Sequence, residues 1–167
     1  MFIKCHGSYL GSTGFNNHTR GFFRGLSKYA KIYVRNFTVD GNSSSYINDE
    51  DKQILSEQTL WSNYKNTSVR MDYPFEWNQE YLDVDINERI HLITAENSHH
   101  YFYDNYLGPK IAYNVWETTL QPDQFFDQLL KFDELWVPSK WQRDCTIKQG
   151  YDPQKIKVLP EGVDEKT

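Results

Sequence analysis

Apolar positions fall into short runs separated by glycine-rich or polar turns, with helical stripes between them. Phe2 to His6 is a strand-like run halted by Gly7, and Gly7-Ser8-Tyr9-Leu10-Gly11-Ser12-Thr13-Gly14 has the composition of a turn. Beyond it Phe22, Leu26 and Tyr29 recur at helical spacing with Phe23 and Ala30 beside them, while Arg20, Arg24 and Lys28 share another face. Ile32-Tyr33-Val34 predicts the next strand, which completes a first strand-helix-strand unit.

The middle is less regular. Asn48 to Asn66 can hold a helix through Ile54, Leu55 and the region of Leu60 and Trp61, whereas 67–88 shows no period. About 41–88 is therefore expected to be an irregular insertion. From Arg89 onward the pattern sharpens, with strands predicted at Ile90–Thr94 and Ile111–Val115. A helix is expected to start at Pro122, with Asp123 and Asp127 near its positive end and a buried stripe of Phe125, Phe126, Leu129 and Leu130. Leu135-Trp136-Val137 predicts a strand stopped by Pro138, and Ser139 with Gln142 has the spacing of a capping box. Gly150 should end that helix, and Ile156–Leu159 should form the last strand, closed by Pro160-Glu161-Gly162. The expected fold class is α/β: a Rossmann-like, doubly wound, mainly parallel sheet with helices on both faces.

Composition narrows the field. The 167 residues suit one domain. Aromatic side chains make up 16%, so the core must lean on large rings, and that apolar supply excludes intrinsic disorder. A net charge of -5 opposes general binding to nucleic acid or acidic membranes. The longest apolar stretches fall far short of the ~20 residues of a membrane span, so no transmembrane segment is expected. With no signal-like N-terminus, the expected location is cytoplasmic, with Cys5 and Cys145 reduced.

In a doubly wound sheet, ligands bind beyond the carboxyl ends of the strands. That rule gathers His6 to Gly14, Glu96 to His100, Trp116 to Thr119, Ser139-Lys140 and Glu161-Gly162 on one edge. Rings, hydroxyls and glycines there suit sugars. The Gly11-Ser12-Thr13-Gly14 turn is neither a dinucleotide fingerprint nor a phosphate-cradling loop. Arg20 and Arg24 would put positive charge where a helix dipole disfavours it. Either an anion docks nearby, or this is an ordinary turn with two solvated arginines. His18 can bond a ligand or the loop, and Glu117 can contact a ligand or cap a helix. Tyr101-Phe102-Tyr103 with Tyr106 fits helix core better than a sugar platform. Adjacent His99 and His100 lack a third ligand at metal spacing, so no metal is expected. No nucleophile elbow occurs.

The second half carries a more specific pattern. It comprises Gly108 to Thr119 with Trp116-Glu117-Thr118-Thr119, then Phe132-Asp133-Glu134-Leu135-Trp136-Val137-Pro138-Ser139-Lys140-Trp141, then Gly150-Tyr151 and Lys155-Ile156-Lys157-Val158-Leu159-Pro160-Glu161-Gly162-Val163-Asp164. This succession resembles the end of the N-terminal domain of retaining GT-B glycosyltransferases of the family-four group, and Gly11 to Gly14 with Arg20 match its first loop more loosely. The resemblance implies an acceptor-binding half over 1–164, an interdomain linker starting at 165–167, and a C-terminal donor-binding domain as partner in the same or a separate chain. It further implies a UDP- or GDP-sugar donor, a sugar, glycan or lipid acceptor, no cofactor held by this half, and no transfer by this half alone. Substrate-binding candidates are then Gly11, Ser12, Thr13, Gly14, Asn17, His18, Arg20, Trp116, Glu117, Thr118, Ser139, Lys140, Glu161 and Gly162. Relatives place a histidine after the strand that ends at Thr94. Here the strand runs into Ala95-Glu96-Asn97-Ser98, so either His99 takes that place or nothing does, and His99 with Glu96 are the catalytic candidates. Alternatives are a non-catalytic carbohydrate- or nucleotide-binding module and a sugar-nucleotide epimerase half.

Overall fold

The computed structural model describes residues 2–36, 47–56, 89–94 and 108–162. Six strands form one sheet: β1 Phe2–Gly7, β2 Lys31–Asn36, β3 Arg89–Thr94, β4 Lys110–Tyr113, β5 Glu134–Val137 and β6 Ile156–Val158. Every pair is parallel and the spatial order is β2-β1-β3-β4-β5-β6, a Rossmann-like α/β arrangement. The order reverses between β1 and β3, which is where such sheets carry their crevice. The helices are α1 Gly14–Ser27, α2 Asp49–Ser56, α3 Asp123–Leu129 and α4 Lys140–Lys148.

Neighbouring residues along a strand point to opposite faces, and this alternation builds two cores. Ile93, Ala112, Leu135, Val137 and Ile156 pack with Phe126 and Leu129 of α3 and with Tyr151 beyond α4. Their sequence neighbours Leu92, Ile111 and Trp136 join Ile3, Cys5, Ile32 and Val34 on the other face, under Phe22, Phe23 and Leu26 of α1 and Ile54 of α2. Each fully buried side chain of this size contributes roughly 1.5–3 kcal/mol. Cys5 is buried and Cys145 partly so, both as free thiols.

Local expectations needed adjustment at several points. Tyr29 is 86% exposed, because α1 ends at Ser27 and the helical period no longer applies there. Leu130, one residue past α3, is half-exposed. Pro122 stands just outside α3 in extended geometry, its carbonyl accepting from Phe125 and Phe126. Of the capping box on α4, only half forms. Ser139 Oγ accepts from Gln142 N at 3.1 Å, but the Gln142 side chain leaves the helix for the loop after β4. Gly150 ends the helix with φ 116°. His6, expected at the rim, is fully buried in β1, its Nε2 3.3 Å from Nδ1 of His91. The candidates Glu96 and His99, the Tyr101–Tyr106 run and the insertion beyond 47–56 lie outside the described residues.

Candidate functional site at the carboxyl edge of the sheet

Because all strands run the same way, the loops after β1, β4, β5 and β6 leave from one edge. The first is packed from its beginning. A Cβ on Gly7 would lie 2.2 Å from Thr94 Oγ1 and 2.9 Å from Thr19 Cγ2, so only glycine lets β1 meet β3 and α1 so closely. Gly11 adopts φ 122°, and Thr13 caps α1 in a reciprocal capping box with Asn16. Asn16 also donates to the carbonyls of Ser8 at 3.0 Å and Leu10 at 2.8 Å.

Arg20 completes this inward wiring. It lies in the middle of α1 and is buried, and its Nη1 donates to Tyr9 O at 2.6 Å and Gly11 O at 2.9 Å. Its Nη2 donates to Asn17 Oδ1, and its Nε lies 3.8 Å from Asp51 Oδ2. Burial pulls the Arg20 guanidinium below its ordinary range, with Asp51 opposing. Arg24 sits in the last turn of α1, where the dipole favours a cation, and grips Asp51 with bonds of 2.9 to 3.1 Å. The supposed charge mismatch at a helix start is therefore absent. Arg20 is buried and Arg24 partly exposed, and neither waits at a helix N-terminus; both are tied to the buried Asp51 of α2, which the Tyr9 hydroxyl also reaches.

His18 lies inside α1. Its ring lies 4.9 Å from Tyr113, 6.0 Å from Phe22 and 6.4 Å from Phe15, measured between centroids. Nδ1 is 3.3 Å from Glu161 Oε1, while Nε2 is buried and has no partner among the described residues. Desolvation holds the imidazole below its ordinary value, and Glu161 pulls the other way. The segment bearing Glu161 crosses the sheet edge from β6. Leu159 N donates to Val137 O at 2.9 Å, and the Tyr113 hydroxyl donates to Leu159 O at 3.0 Å. Burial, aided by Glu161, pushes the Tyr113 phenol well up.

Between α1 and this segment runs a groove of about 1000 Å³. It brings together Gly14, Asn17, His18, Arg20, Glu161 and Gly162 from the candidate set, with Phe22, Asn48, Asp51 and Tyr113 beside them. Gly11, Ser12 and Thr13 lie in the adjoining loop without lining it, as do Trp116, Glu117, Thr118, Ser139 and Lys140 farther along the edge. The loop after β4 spends its polar groups on itself and on the side chains of Gln142 and Gln149. Trp116 Nε1 donates to Thr118 Oγ1 at 2.7 Å and Leu120 O at 3.1 Å, and Thr118 Oγ1 donates to Leu120 O at 2.7 Å. Buried Gln142 accepts from Trp116 N and donates to Asn114 O, Gln121 reaches Asn114 Oδ1, and Gln149 pairs with the Gln121 backbone. Glu117 and Lys140 are exposed, and Ser139 is committed to capping α4.

Tyr9, Asp51 and Tyr113 shape this edge without having stood out in the sequence, while Gln142 stood out only as a capping residue and not as the support of the loop after β4. The partners of Tyr9 and Tyr113 include backbone groups, and Asp51 pairs across elements, so these three leave no spacing signature. Among the described residues, no group of three His, Cys, Asp or Glu side chains could hold a metal, and no helix is long and apolar enough to cross a membrane. No family model, curated protein or solved structure matches the chain.

Proposed function

We propose that this domain is the acceptor-side half of a retaining glycosyltransferase, binding a sugar-bearing acceptor and meeting a second domain that holds a UDP- or GDP-sugar. The observation that carries this reading is the common edge. The Gly11–Gly14 loop, the Trp116-Glu117-Thr118 segment, Ser139-Lys140 and Glu161-Gly162 all follow parallel strands onto one side of the sheet, next to an open groove. Gly14 adds to that openness, since a Cβ there would meet nothing within 4 Å. The groove mixes aromatic walls (Phe22, Tyr113) with hydrogen-bonding groups (Asn17, Asn48, Glu161), a lining matched to a sugar's apolar face and hydroxyls. Wiring of the first loop through Asn16 and Arg20 fixes its shape before any ligand arrives, as a positioning role requires. In the transfer reaction this half contributes placement of the acceptor hydroxyl, and the departing diphosphate takes its proton.

The test is amide NMR of the domain titrated separately with UDP, GDP and a panel of methyl glycosides. Shifts at Gly11–Phe22 and Leu159–Gly162 from a glycoside support the acceptor role. Shifts from the nucleotides alone favour a nucleotide-binding module, and no shift along this edge from any probe overturns both.

A further inference from the structure

We propose that His18 and Glu161 form a proton-operated latch that seats the segment leaving β6 against α1. The latch operates whether or not the domain takes part in sugar transfer. Leu159 to Gly162 is held to the body of the domain by three described contacts: Leu159 N to Val137 O, the Tyr113 hydroxyl to Leu159 O, and the His18–Glu161 pair. The first two hold its near end beside β5 and β4. Among these three, His18 makes the one contact farther along, and it comes from a helix on the other side of the groove.

The chemistry of that contact makes it proton-sensitive. A carboxylate facing Nδ1 fixes the ring proton there, which leaves Nε2 with its lone pair. Nε2 is enclosed, and the rings of Phe15, Phe22 and Tyr113 surround the imidazole with apolar surface. The side chain of His18 is only 15% exposed, against 46% for Glu161. A proton on Nε2 would therefore put a cation, with an N–H donor lacking an acceptor among the described residues, into an aromatic pocket. The titratable groups facing His18 among the described residues are Glu161 from the exit segment and Tyr113 from β4, and Tyr113 stays neutral throughout the relevant range. On acidification the imidazolium leaves the aromatic pocket for water, where solvent screens its attraction to Glu161 and the segment is no longer held against α1. The latch opens.

Long-range ¹H–¹⁵N NMR of the imidazoles, followed from about pH 8 to about pH 5 on the whole chain, reads this directly. The expected result is an Nδ1-protonated neutral tautomer and a His18 midpoint below the ordinary 6.5, with the Leu159, Glu161 and Gly162 amides inflecting at the same midpoint. Glu161→Gln moves that midpoint lower still, and His18→Phe, which suits the aromatic pocket, abolishes the inflection of the exit amides. A midpoint at or above 6.5, an Nε2-protonated tautomer, exit amides that ignore the midpoint, or a midpoint unmoved by Glu161→Gln would each overturn the latch.

Discussion

The loop from β1 to α1 and the loop from β4 to α3 leave the same sheet edge, yet a buried ionic cluster joins Asn16 in holding the first, and side-chain amides without ions hold the second. Arg20 gathers the carbonyls of Tyr9 and Gly11 and, with Arg24, binds Asp51 of α2. The second loop hangs on Asn114, Gln121, Gln142 and Gln149. A buried charge that loses its partner costs more than an amide that does, so the two loops should fail very differently. The ionic cluster also ties a groove wall to a second helix, whereas the amide ladder links its loop to α4 and the residue that follows it. Where the edge opens into a groove, the chain uses its stronger fastening.

The largest effect is expected at Asp51. Asp51→Ala takes the buried carboxylate from Arg20 and Arg24, leaving Arg24 only the exposed Glu50 at 3.4 Å, and should destabilise the fold by about 3–5 kcal/mol in urea unfolding, with the Ser8–Thr13 amides losing protection from exchange. Gln142→Leu should cost less, about 1–3 kcal/mol, with loss of protection confined to Asn114–Gln121. A reversal of that order would break the comparison. A smaller effect concerns His18, whose folded-state affinity for a proton is depressed by burial. The unfolded chain then binds the proton first, so His18 contributes stability above its ordinary 6.5 and loses it as pH falls through the lower folded value. Measured against His18→Phe by denaturant unfolding at several pH values, wild type should therefore stand highest above 6.5 and lose ground steadily below it.

The sheet was legible because strands covered on both faces appear as compact apolar runs, as at Ile90–Thr94 and Leu135–Val137. Helix ends were less so: Pro122 stands outside α3, and the period through Tyr29 outruns α1. At the edge, strand-end position was enough to gather Gly14, Glu161 and Gly162. The wiring was hidden. Arg20 bonds backbone carbonyls, which carry no sequence signature, and Gln142 has the spacing of a capping residue while its amide serves another loop. The pairing of His18 with Glu161 joins distant parts of the chain, and no local pattern announces it.

The smallest expected change in stability bears most directly on the groove. Gly14→Val adds a side chain where a Cβ meets nothing within 4 Å, so stability in urea unfolding should shift by no more than about 0.5 kcal/mol. Calorimetric titration of both proteins with the methyl glycosides should show binding to wild type weakened by about tenfold or more in the variant. Equal affinity in the two proteins, or no glycoside bound by wild type, would contradict an acceptor site between α1 and the segment leaving β6.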